Sequence, residues 1–67
     1  MVVKSVEYAY PTSPHAEKWG FGKSGCYTVQ QGEQTLPKVV IAAYTEQADA
    51  IAHAERLELP WSRYTIR

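Results

Sequence analysis

The residue pattern predicts an α+β domain: a small mixed sheet of three to four strands with one helix packed on one face, in the order β-β-β-α-β. Three observations carry this expectation. Apolar and polar residues alternate over positions 2–10, a continuous apolar run fills Val39–Tyr44, and the spacing then switches to a helical period until Pro60. With 67 residues the chain is read as one domain, 1–67. A domain of that size buries only about 60% of its unfolded surface, so nearly every large apolar side chain is needed for the core.

The elements follow in order. In VVKSVEYAY, Val6, Tyr8 and Tyr10 fall on one side of an extended chain and Ser5 and Glu7 on the other, the signature of a half-buried strand. Residues 11–25 hold two prolines and three glycines and are expected to be a long connection. Positions 26–31, CYTVQQ, alternate again, and Gly32 and Pro37 mark a turn that joins antiparallel neighbours. VVIAAY is uninterrupted and β-branched at its start, as expected of a central strand covered on both faces. Thr45 then suits a helix N-cap, with Glu46 in the first turn. Ala50, Ile51, Ala54 and Leu57 share one helical face while Asp49, Ala52 and Arg56 point away, and Pro60 ends the helix by Leu59. WSRYTIR closes the chain as a strand, Ser62, Tyr64 and Ile66 on one side and Arg63, Thr65 and Arg67 on the other. A right-handed crossover is expected to lay it parallel to the third strand. The sheet face opposite the helix would then leave Tyr8, Tyr10, Tyr27 or Tyr64 in view of solvent.

Composition narrows function. The chain is 45% hydrophobic and 21% charged, and its seven Lys and Arg balance seven Asp and Glu, which argues against a dedicated nucleic-acid binder. Residues 45–59 carry Glu46, Asp49, Glu55 and Glu58 against Arg56, so the charge is bipolar: a solvated helix, or a patch that steers a partner. The single cysteine, Cys26, points to a reducing compartment, and the cytoplasm is expected. Residues 1–7 hold no apolar run of signal-peptide length, and no stretch has the apolar length of a membrane span.

WGFGKSG, residues 19–25, contains the Gly22-Lys23-Ser24 ending of a nucleotide-binding loop. That loop requires a glycine five residues before Gly22, where Glu17 stands, and a helix after it, where a strand is expected. The stretch reads as a glycine-rich turn. Alternatively, Trp19 and Phe21, flanked by Lys18 and Lys23, form a recognition loop, or Trp19 folds back onto the sheet. His15, Cys26 and His53 lie on separate elements without metal-ligand spacing, and His53 is read as solvated. No metal, cofactor or catalytic residue is expected, and the chain is read as a non-enzyme.

The stretch KVVIAAYTEQADAIAHAERLELPWSRYTIR resembles the carboxy-terminal half of the small inhibitor of bacterial RNA polymerase made by lytic podophages: a strand, a Thr-opened Ala-rich helix with an Ala-Glu pair, and a final strand ending in Arg. The resemblance implies a β-α-β half and contact with polymerase through arginines of the last strand and the acidic helix. Arg67 occupies one such position, and Thr65 stands where a second arginine is expected. The reading for the whole chain is a protein-binding module, phage- or mobile-element-encoded, that inhibits or modulates a larger host assembly. Its expected surface comprises Arg63, Tyr64, Arg67, Trp19, Phe21, Lys23 and Lys38. The alternative is a small single-stranded nucleic-acid binder that stacks bases on sheet tyrosines beside Lys4, Lys38 and Arg63. Either accommodates a homodimer through a sheet edge.

Overall fold

The computed structural model describes residues 1–34, 37–63 and 65. It is an α+β domain with strands β1 (Val2–Ala9), β2 (Cys26–Glu33) and β3 (Val39–Tyr44) and helices α1 (Pro14–Lys18) and α2 (Gln47–Glu55). The sheet order is β1-β2-β3, antiparallel throughout, with Val6 opposite Val29 and Val29 opposite Ala42. Two expectations change here. The central strand is β2, and the apolar run Val39–Tyr44 is an edge strand whose residues are half-buried, with Val39 exposed. Part of residues 11–25 is the short helix α1 rather than plain connection.

A β-bulge explains why the edge strand is so apolar. Gln30 pairs with Val40 and Val29 with Ala42, which leaves Ile41 as an extra residue on β3. The bulge turns Ile41 to the same side as Ala42, and both pack on the main core of Val6, Val29, Ala50 and Ala54. Strict alternation would have sent Ile41 to the opposite side.

α2 lies on that side of the sheet. Ala50 and Ala54 are fully buried, Ile51 and Leu57 are half-buried, and Asp49, Ala52 and Arg56 are exposed, as the helical spacing requires. The N-cap is Glu46 rather than Thr45, and its side chain makes no capping bond; packing of the alanine face holds this helix to the sheet. Small side chains let the axis approach the strands closely. Glu46, Asp49, Glu55 and Glu58 are all exposed, which makes the acidic character of this segment that of a solvated face.

The closing segment runs parallel to β3 in direction but sits on the far edge of the sheet, beside β1. The Lys4 amide donates to the Pro60 carbonyl at 2.9 Å and the Ser62 amide donates to the Lys4 carbonyl at 2.7 Å, forming a parallel bridge between Lys4 and Trp61. Two residues on, the Thr65 hydroxyl accepts from the Val6 amide at 2.8 Å and donates to the Val6 carbonyl at 3.2 Å. Thr65 therefore turns toward β1, not outward. The Lys4 ammonium donates to the Leu57 carbonyl at 2.9 Å and sits 4.7 Å from the Trp61 ring centroid, so this lysine is buried and committed.

Candidate functional site

The loop that raised the question of phosphate binding has a mechanical explanation. Ser13 caps α1, its hydroxyl accepting from the Ala16 amide at 3.1 Å, and Pro14 supplies the preset dihedral of the first turn. At the other end Gly20, at φ +86°, takes the left-handed position; its amide donates to the Glu17 carbonyl and the Phe21 amide donates to the Ala16 carbonyl at 2.7 Å. That pair of bonds is a Schellman motif, and Phe21 makes the apolar contact that accompanies it by packing with Ala9, Ala16 and Cys26. Ser24 and Gly25 then donate to the Phe21 carbonyl and turn the chain into β2. A helix precedes Gly22-Lys23-Ser24 and a strand follows, the reverse of the order a phosphate-binding loop uses.

Of the residues expected to form one recognition surface, the described ones fall on different parts of the fold. Trp19 is exposed and Lys23 is exposed on the following turn, whereas Phe21 belongs to the second core. Lys38 lines the groove on the other side of the sheet, and Arg63 is exposed near the outer edge of β1. Tyr64 and Arg67 lie outside the described residues. The tyrosine platform is corrected as well. Tyr8, Tyr27 and Tyr44 stand opposite one another on the helix side of the sheet; Tyr8 and Tyr27 rings are 5.2 Å apart, and Tyr27 and Tyr44 pack on the main core. The opposite side carries Ser5, Glu7, Thr28 and Gln30, with α1 and Phe21 over its Ala9–Cys26 end. Lys4 is buried, so it does not join Lys38 and Arg63 in a cationic surface beside those tyrosines.

His53 is half-buried, not solvated. The Tyr44 hydroxyl and His53 Nδ1 are 2.8 Å apart and the rings meet edge to face, which locks the α2 flank onto β3. The nine-residue separation of Tyr44 and His53 across the strand–helix turn was the signal available in the sequence.

The two edges of the sheet are treated differently. On β1 the backbone groups of Lys4 and Val6 that face outward are taken up by Pro60, Ser62 and Thr65. On β3, the strand pairing runs to β2, and no described strand pairs with its outer edge. The strand contains no charge and no proline, the two common devices that discourage pairing; the bulge at Ile41 is its only restraint, and it confines regular pairing to short runs on either side.

On the other side of the sheet a groove of about 360 Å³ opens between α1, the strand floor and residues 37–38. Its floor is a polar network. Ser5 donates to Glu7 Oε2 at 3.0 Å, Thr28 donates to the Glu7 carbonyl at 2.9 Å, and Gln30 donates to Thr28 at 2.8 Å. Lys38 Nζ lies 3.8 Å from Glu7 Oε2. Cys26 is a buried free thiol, and desolvation raises its pKa, so it stays protonated and unreactive.

Among the described residues no helix is long and apolar enough to cross a membrane. No protein-family model, curated protein sequence or solved structure matches the chain.

Proposed function

We propose that the chain is a non-enzymatic protein-binding module that docks by accepting an extended segment of a partner along the outer edge of β3. The observation that carries this reading is the asymmetry of the sheet: the β1 edge is bonded by Pro60, Ser62 and Thr65, whereas no described strand pairs with the outer edge of the uncharged strand β3. Main-chain hydrogen bonds would supply affinity, and alternate side chains of the incoming segment would supply selectivity. The complementary occupant is itself an uncharged, β-branched segment, since β3 offers no ion to pair with a charge. We place the module in a reducing compartment, the cytoplasm, where Cys26 remains a free thiol.

Modulation of a host assembly is the form of this activity that the sequence resemblance implies, with bacterial RNA polymerase as the partner to test. Amide hydrogen exchange is measured on the chain alone and with that enzyme. Slower exchange across Val39–Tyr44 in the mixture is the expected result. Val39→Lys, at an exposed edge position, is expected to weaken the interaction about tenfold, equivalent to about 1.4 kcal/mol. Binding that leaves β3 exchange unchanged refutes docking at this edge, and no binding refutes this partner. Protection of β3 in the chain alone as its concentration rises identifies the occupant as a second copy.

A further inference from the structure

We propose that the groove on the sheet side opposite α2 binds a small α-amino acid as its zwitterion, with the ligand carboxylate on Lys38 and its ammonium on Glu7. Three observations converge there. The first is a cation beside an acid: the Lys38 side chain is 9% exposed, and its ammonium lies 3.8 Å from Glu7 Oε2, an ion pair beyond hydrogen-bond range.

The second is the device that puts Lys38 there. Gly32, at φ +154°, lies so close to the returning chain that an added Cβ would meet Lys38 Cα at 3.2 Å. The missing side chain favours the close approach of residues 37–38 to β2, which brings the ammonium toward Glu7.

The third is the composition of the cavity. About 360 Å³ is the size of a small-ligand site, and its walls are Tyr10, Pro14 and Pro37 around a floor of Glu7, Thr28 and Gln30. One positive and one negative group side by side make the floor neutral as a whole. They complement a ligand whose own opposite charges are a few bonds apart, while a simple anion or cation would meet a like charge. Glu7 is held in place by Ser5 through Oε2, and its side chain is 36% exposed, open to an incoming donor. The apolar walls would take the amino-acid side chain. This site is separate from the β3 edge and does not depend on the docking proposed there.

The test is a titration of the isotope-labelled chain, followed by amide chemical shifts, with each common L-amino acid at millimolar concentration. The tightest ligand is then compared with its methyl ester and its N-acetyl derivative. Expected shifts concentrate at Glu7, Thr28, Gln30 and Lys38, and each derivative binds at least about tenfold more weakly, because each loses one charge-assisted contact. Lys38→Met and Glu7→Gln are expected to lose affinity by a similar factor with dispersed spectra retained. Absence of shifts with every amino acid overturns the proposal, as does equal binding of the ester and N-acetyl forms or undiminished binding by a folded Lys38→Met chain. Should Lys38→Met not fold, the ligand-derivative comparison on the natural chain decides the matter.

Discussion

Gly20 and Gly25 share a left-handed backbone but not a neighbourhood, and replacing each by alanine separates two physical effects in one loop. An alanine at Gly20, φ +86°, finds no atom within 4 Å of its new Cβ, so Gly20→Ala carries only the left-handed penalty of about 1–2 kcal/mol. At Gly25, φ +74°, the same penalty applies, and the Cβ would meet Tyr8 Oη at 2.6 Å and the Ala9 carbonyl at 2.9 Å. The Tyr8 hydroxyl ends a half-exposed ring and can move. The carbonyl belongs to β1, so the backbone must yield, adding about 1–3 kcal/mol as overpacking does elsewhere. Gly25→Ala is therefore expected to lose about 2–5 kcal/mol. A chain of 67 residues has roughly 3–10 kcal/mol in all, at about 0.05–0.15 kcal/mol per residue. Urea unfolding followed by Trp fluorescence measures both; at a slope of about 1 kcal/mol per molar, the midpoints should differ by about 1–3 M. Equal losses, or a smaller loss for Gly25→Ala, would refute the close approach of this loop to β1.

Three other substitutions or conditions test the remaining contacts. Thr65→Val removes the hydroxyl that serves both the amide and the carbonyl of Val6 and is expected to destabilise by about 1–3 kcal/mol in the same unfolding assay, with faster exchange of the Val6 amide. Ser13→Ala deletes the α1 cap at a loss of about 1 kcal/mol, and exchange at Ala16 should report it locally. Because burial raises the Cys26 pKa in the folded chain, its stabilising effect is fully present below the ordinary thiol value of 9.0 and is lost as pH rises through the higher folded value. Stability should fall as pH climbs from 9.0 toward the folded value in the natural chain and less so in Cys26→Ala, measured by midpoints across alkaline pH.

The sequence made some of this legible and concealed the rest for physical reasons. Periodicity identified α2 and its inner face, because Ala50, Ala54, Ile51 and Leu57 report only on one helix and one neighbour. The rank of β3 within the sheet was hidden, because a bulge lets an edge strand carry an apolar side chain where alternation would call for a polar one. α1 was hidden by its length: five residues flanked by Pro14 and Gly20 show no period, although the Ser13-Pro14 start and the Gly20 stop are both capping signals. The glycine pattern around Lys23 was correctly read as a turn. The destination of the last segment was not legible, since a crossover from β3 can return beside either edge and only tertiary contacts of Lys4 and Val6 with Pro60, Ser62 and Thr65 decide which. For the same reason the groove escaped notice: Glu7, Gln30 and Lys38 come from three segments and meet only because the strands pair in this register.

The clasp between Val6 and Thr65 spans 59 positions of the chain. During synthesis on the ribosome the first strand leaves the exit tunnel long before the residues that will shield its flank. Until they emerge, that margin of the nascent sheet is unshielded, and premature association with a neighbouring chain would compete with completion of the fold.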